Sequence, residues 1–158
     1  ERIAGEPTES FSSAAMQWGT ETEPQARAMY GFIEDREVLE TGFVHHPKIE
    51  WFGASPDGLV GDEGLLEIKC PNTATHIQTL LAAKIDKKYT LQMQWQMACT
   101  ERDWCEFVSF DPRMPPELQM WNQRIERDDA GIKELEAGIV EFLAELDEQV
   151  SRLQELAA

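Results

Sequence analysis

Apolar and polar residues alternate along residues 65–70, Leu-Leu-Glu-Ile-Lys-Cys, so Leu66, Ile68 and Cys70 share one side of an extended strand while Glu67 and Lys69 share the other. A second apolar-rich run, residues 52–60, precedes it across Gly61-Asp62-Glu63-Gly64, the composition of a hairpin turn. If Val60 stands opposite Gly64, Asp57 falls directly opposite Glu67, with Cβ atoms about 5 Å apart. One side of this hairpin is chemical and the other is core.

The pattern predicts further elements on both sides of the hairpin. A helix is expected to start at Thr22 or Glu23, with Pro24 in its first turn and Ala26, Met29, Tyr30 and Ile33 as its apolar stripe. Glu23 lies on that inward side, either as a cap or salt-bridge partner or as a third carboxylate at the site. Residues 73–83 suit a short helix. Residues 86–100 suit a second, with Leu91, Trp95 and Ala98 inward and Tyr89, Gln92 and Gln96 on an adjacent face. Of the three glutamines at 92, 94 and 96, Gln92 is singled out because an amide can both donate to a phosphate and accept from a water. The others read as helix-compatible surface. Residues 104–110 read as a strand, Asp111-Pro112-Arg113-Met114-Pro115-Pro116 as a rigid loop, and residues 118–125 as a further strand. Residues 129–156 form a long amphipathic helix, with Ile132, Leu135, Ile139, Phe142, Leu143, Leu146, Val150 and Leu153 on one stripe. His45, His46 and His76 are expected in loops or on the surface. The opening Glu1-Arg2-Ile3-Ala4-Gly5 reads as the tail of a helix stopped at a glycine, implying lost upstream residues.

Composition bounds this picture. The 158 residues make a single domain, with a core at 16–127 and the helix 129–156 appended, long enough to bury about two-thirds of the unfolded surface. No apolar run nears the roughly 18 residues of a membrane span, and no signal peptide is evident, so a cytoplasmic location is expected. Cys70, Cys99 and Cys105 lack paired short spacings and read as reduced, mostly buried thiols. The net charge of −16 argues against a phosphate-rich partner. Its distribution answers the objection: residues 128–158 hold nine acids against two bases, whereas residues 68–95 hold four lysines against one aspartate.

That charge pattern bears on the hairpin. Carboxylates as close as Asp57 and Glu67 repel by about 4 kcal/mol at an intermediate effective dielectric. A divalent cation relieves this best, and hard oxygen donors select Mg²⁺ or Mn²⁺ over zinc. Two acids and a lysine in this arrangement suit metal-dependent phosphodiester cleavage.

With the elements placed, the order helix–acid, strand–Asp, strand–Glu-x-Lys, helix–Gln, strand resembles the restriction-endonuclease-like PD-(D/E)XK nucleases. It most resembles the YqaJ-like viral recombinase family, that of bacteriophage lambda exonuclease. The matching stretches are Trp18-Gly19-Thr20-Glu21-Thr22-Glu23-Pro24-Gln25-Ala26-Arg27, Ser55-Pro56-Asp57-Gly58-Leu59, Leu66-Glu67-Ile68-Lys69-Cys70-Pro71, Gln92-Met93-Gln94-Trp95 and Phe110-Asp111-Pro112-Arg113-Met114. The resemblance implies an α/β fold, a mixed sheet flanked by helices with a long C-terminal helix. It implies that Asp57, Glu67 and the carbonyl of Ile68 hold Mg²⁺, for which Mn²⁺ substitutes, with Glu23 at or near a second ion. Lys69 would orient or deprotonate the attacking water, Gln92 support the site, and Ser55 touch a terminal 5′-phosphate. The implied activity is 5′-to-3′ digestion of one strand of double-stranded DNA, releasing 5′-mononucleotides and leaving 3′ overhangs for a single-strand annealing protein, with a homotrimer as the implied assembly. An endonuclease or junction resolvase on the same fold, or a non-catalytic DNA-binding module, is the alternative. Two departures stand out: the Arg and Thr-Ala-Ser segment with which such proteins bind a 5′-phosphate is absent, and Gln96 stands where related helicase-associated nucleases place a tyrosine.

Overall fold

The computed structural model describes residues 13–156, so the helix tail expected at residues 1–5 lies outside the described residues. Helix α1, Ala14–Ile33, starts at Ser13, whose hydroxyl accepts the Met16 N–H at 3.2 Å. The expected start at Thr22 or Glu23 is therefore wrong, and Pro24 lies in the helix interior. A proline there leaves the carbonyl four residues earlier without its helical partner. Packing of Thr22, Ala26 and Tyr30, all buried, offsets that loss, while Ile33, expected inward, is 57% exposed.

Five strands form one sheet in the order β1 (Val38–Leu39), β4 (Gly58–Val60), β5 (Gly64–Lys69), β6 (Trp104–Phe110) and β7 (Met120–Glu126). Only β5 and β6 run parallel. A parallel neighbour needs a crossover, here supplied by α2 (Thr73–Ala82) and α3 (Lys87–Thr100). The run 52–60 is not one strand. Pro56 cannot donate to a ladder, and on its N-terminal side β3 (Gly53–Ala54) pairs with β2 (Val44–His45) in a separate two-stranded sheet.

Two apolar cores sandwich the main sheet. Leu66, Ile68, Val108 and Phe110 pack with Ala26 and Tyr30 of α1 on one face. On the other, Leu65, Cys105 and Phe107 pack with Met93 and Met97 of α3. Covered on both faces, β6 is buried at every position.

Helix α3 departs from its expected orientation. Leu91 is 43% exposed, and the buried set is Met93, Gln94, Gln96, Met97, Ala98 and Cys99. The helix is contacted from two sides, so its buried sector is wider than one apolar stripe. Trp95 turns toward the small sheet, donating from Nε1 to the Gly53 carbonyl at 3.1 Å and stacking on His46 at 4.9 Å. Gln94, expected on the surface, ties β7 to the last helix: its amide donates to the Glu126 carbonyl at 2.8 Å and its oxygen accepts the Asp128 N–H at 2.9 Å.

Two histidines expected in loops or on the surface are buried. His46 Nδ1 accepts the N–H groups of Lys48 and Ile49, leaving Nε2 to face Glu136 at 3.2 Å. His76 lies between the Ser109 hydroxyl and the Leu118 carbonyl, each 2.8 Å away. Helix α4, Asp129–Leu156, matches its expected bounds, although of its stripe only Ile132 is fully buried and Phe142 and Leu153 are about half exposed.

Candidate active site

The turn joining β4 to β5 sets the site's register. Gly61 adopts a left-handed φ of 56°, which favours glycine, and a side chain on Gly64 would collide with the Trp104 ring. The resulting pairing, Val60 with Gly64 and Gly58 with Leu66, carries Asp57 beside Glu67 as expected. Asp57 lies one residue before β4. Its N–H bonds the Leu66 carbonyl at 3.1 Å and its carboxylate accepts the Ile68 N–H at 2.6 Å.

Glu67 is fully buried, not on an open chemical face, and each of its oxygens is held. Oε1 accepts from Gln92 Nε2 at 2.8 Å and contacts the Lys69 ammonium, while Oε2 accepts from Gln96 Nε2 at 2.5 Å. Charge-assisted hydrogen bonds of this kind allow a buried carboxylate to persist. Glu23 reaches the same region from α1. It joins Asp57, Ile68, Lys69, Cys70 and Tyr89 in lining a cleft of about 440 Å³, and its carboxylate pairs with Arg27 at 2.5 Å. Ser55 is exposed and is not part of that cleft's lining.

The electrostatics of the cleft follow from burial. Asp57 is pushed up to about 7, first by burial and then by the negative charge of Glu67; the Ile68 N–H opposes this, and Glu23 adds to it. Burial alone would depress Lys69, but the charge and hydrogen bond of Glu67, with Asp57, outweigh it and hold the ammonium above the ordinary lysine range. Lys69 is thus a fixed cation in this arrangement, suited to orienting a water or phosphate oxygen more than to removing a proton. The Cys70 thiol is pushed up to about 12 by burial and by Glu23 and Asp57, so it is held as a neutral thiol in the metal-free cleft.

Among the described residues no three His, Cys, Asp or Glu side chains gather as a ready-made metal cluster. The donor set fits a hard divalent cation nonetheless. Asp57 and Glu67 set two carboxylates side by side against the single ammonium of Lys69, and their oxygens are the donors that such ions take.

Three residues escaped the pattern. Arg27, 12% exposed at its side chain, donates from Nε to the Asp57 carbonyl at 2.8 Å, from one terminal nitrogen to Glu40 at 2.6 Å and from the other to Glu23 at 2.5 Å. Its signal was the i,i+4 spacing from Glu23. Gln96, read as surface, is a second holder of Glu67, and its signal was the same spacing from Gln92. Tyr89 lies under Lys69, its ring centroid 5.2 Å from Nζ. Only the fold brings that pair together.

Residues 2–103 match the model of the YqaJ-like viral recombinase domain. The chain is similar in structure to an alkaline exonuclease, LHK-Exo, from Laribacter hongkongensis, with 53% identity and a TM-score of 0.94 over 99% of this chain and 79% of that one. The complex of LHK-Exo with dAMP aligns at 54% identity and a TM-score of 0.95, covering 99% and 80%. A phage-related exonuclease from Haemophilus somnus 129PT shares the fold at 18% identity and a TM-score of 0.73, covering 92% and 77%. No curated protein matches the chain. Taken with Asp57 and Lys69 in one cleft and Glu67 buried directly behind them, the chain belongs to the YqaJ-like viral recombinase family and is a nuclease, a DNA exonuclease of that family.

Proposed function

We propose that this chain is a Mg²⁺-dependent 5′-to-3′ exonuclease of double-stranded DNA, releasing 5′-mononucleotides and leaving 3′ overhangs. The observation that carries the reading is the pairing of Asp57 with a fully buried Glu67 whose two oxygens are held by Gln92, Gln96 and Lys69. Asp57, Glu67 and the Ile68 carbonyl would hold Mg²⁺, with Glu23 beside a second ion. An ion held there would supply charge stabilisation for phosphodiester hydrolysis. Lys69 orients the attacking water against the phosphorus, Gln92 and Gln96 keep the Glu67 carboxylate in one rotamer, and Arg27 fixes the backbone of Asp57. The exposed hydroxyl of Ser55 is assigned to the terminal 5′-phosphate. The dAMP complex of LHK-Exo supports a deoxynucleoside monophosphate product. Residues 1–158 act as one nuclease domain, and a homotrimer and a single-strand annealing partner follow from the family resemblance.

Linear 5′-phosphorylated duplex and closed circular duplex, each incubated with Mg²⁺, test this. The linear form is expected to release acid-soluble mononucleotides and the circle to stay intact. Asp57→Ala and Lys69→Ala are each expected to lower release by at least ~100-fold. Cutting of the circle would favour an endonuclease or junction resolvase, and undiminished release by both variants would refute the catalytic assignment. Sedimentation of the purified chain tests the trimer, which a purely monomeric profile would reject.

A further inference from the structure

An open cavity of about 670 Å³ lies at the α2–α3 connection, within the size range of small-ligand sites. Tyr89 is its shared wall: the residue lines both this cavity and the cleft containing Asp57 and Lys69. Lys69 Nζ stands 5.2 Å from the ring centroid and Lys88 Nζ 4.7 Å from it. The Lys88 side chain is 66% exposed, so it can leave the ring and let a planar ligand take its place. Phe107 backs the tyrosine at 5.5 Å between rings, and Thr75 and Gln78 of α2 add hydrogen-bonding groups to the lining.

Charge separates this cavity from the rest of the surface. Lys84, Lys87 and Lys88 line it against a single acid, Asp86, whose carboxylate caps α3 through the Lys88 N–H at 3.0 Å. In a chain of net charge −16 such a concentration of ammonium groups attracts an anion. Ammonium groups around an aromatic platform match a phosphate joined to a base, since every base offers a face for stacking.

We propose that this cavity is a nucleotide-binding site, taking a deoxynucleotide 5′-phosphate with its base on Tyr89 and its phosphate among Lys84, Lys87 and Lys88. The proposal rests on the nuclease reading above and deepens it: the site receives the nucleotide next to the cleft, either freed by cleavage or still in the strand.

The probe is 2-aminopurine deoxyriboside 5′-monophosphate, titrated into the full chain in EDTA so that no metal-held binding contributes. Its fluorescence is expected to be quenched by stacking. A Lys87→Glu/Lys88→Glu pair is expected to weaken binding about 10-fold or more, Tyr89→Leu to remove the quench, and Asp57→Asn to leave both unchanged. The unphosphorylated nucleoside is expected to bind weakly. A short single strand carrying the same base internally separates the two sources: tighter binding of the monophosphate identifies the freed product, and tighter binding of the oligonucleotide the attached strand. Binding insensitive to the double charge reversal, or lost in Asp57→Asn, would overturn the inference. Absence of quench in a chain that still digests linear duplex overturns this site alone. A quench in a chain that digests nothing sustains the site and overturns the exonuclease reading.

Discussion

Asp57 holds a proton near neutrality because burial, and then Glu67, disfavour its charge, lifting it to about 7. A bound divalent cation has to expel that proton, so Mn²⁺ affinity measured by calorimetry is expected to rise about tenfold from pH 6 to pH 8 and to level off above that. Folding carries the opposite sign. An acid raised in the folded state stabilises fully below its ordinary value of 3.8, and the contribution is lost as pH rises through about 7. Asp57→Asn should therefore stabilise the metal-free protein at pH 8 by about 1–2 kcal/mol, allowing for the group's partial exposure. At pH 4 it should change little, as thermal melts in EDTA would show. Arg27 acts through its neighbours. Arg27→Met is expected to lower turnover about 100-fold by loosening Asp57 and Glu23, and Arg27→Lys not to restore it, because one ammonium cannot serve three acceptors in fixed directions. Steady-state kinetics with a KM that stays near wild type would separate this positioning role from loss of DNA binding.

Asp111 joins the loop after β6 to helix α2. Its buried carboxylate accepts the Thr73 hydroxyl at the start of α2 at 2.6 Å and the Arg113 guanidinium at 2.7 Å, so the loop after β6 is tied to the helix that follows the catalytic strand. Burial would raise this carboxyl, but the Arg113 and Thr73 hydrogen bonds hold it down at about 2. Stability from a depressed acid is present above the ordinary value and is lost as pH falls through about 2. Asp111→Asn should accordingly cost about 2 kcal/mol at pH 7 in urea titrations, with the difference closing in acid. Helix α4 behaves differently along its length. From Ser151 to Leu156 every residue is exposed, so truncation after Val150 should move the melting midpoint by less than about 2 °C. The bounds of α4 and β6 were legible because each pattern runs uninterrupted for many residues. The start of α1 was not: Pro24 mimics a first-turn proline, whereas the helix begins ten residues earlier at the Ser13 cap.

Electrostatics at the scale of the whole molecule sets how DNA is met. The acidic α4 segment repels phosphate, and the lysines at 84, 87 and 88 stand apart from it at the α2–α3 connection. Binding to duplex DNA should fall steeply with added salt, and the log–log slope should flatten by about one unit for each of these lysines replaced by alanine. Fluorescence anisotropy at several salt concentrations with a catalytically inert variant would check this; an unchanged slope would place the DNA elsewhere. No helix among the described residues is long and apolar enough to cross a membrane.

Local information sufficed for the Asp57–Glu67–Lys69 arrangement because a tight turn and a period of two determine which residues of a hairpin share a face. The spacing in α1 and α3 likewise made Glu23 and Gln92 nameable beforehand, with the family resemblance supplying their roles. Tertiary structure decided what surrounds them. It buried Glu67 completely, turned Gln96 and Gln94 from surface residues into partners, buried His46 and His76, split the run 52–60 between two sheets and put Tyr89 beneath Lys69. The physical reason is common to all of these: a polar side chain's environment depends on which distant elements cover it. A buried amide or imidazole is stable only where the fold delivers its hydrogen-bond partners, and periodicity along the chain carries no record of that delivery.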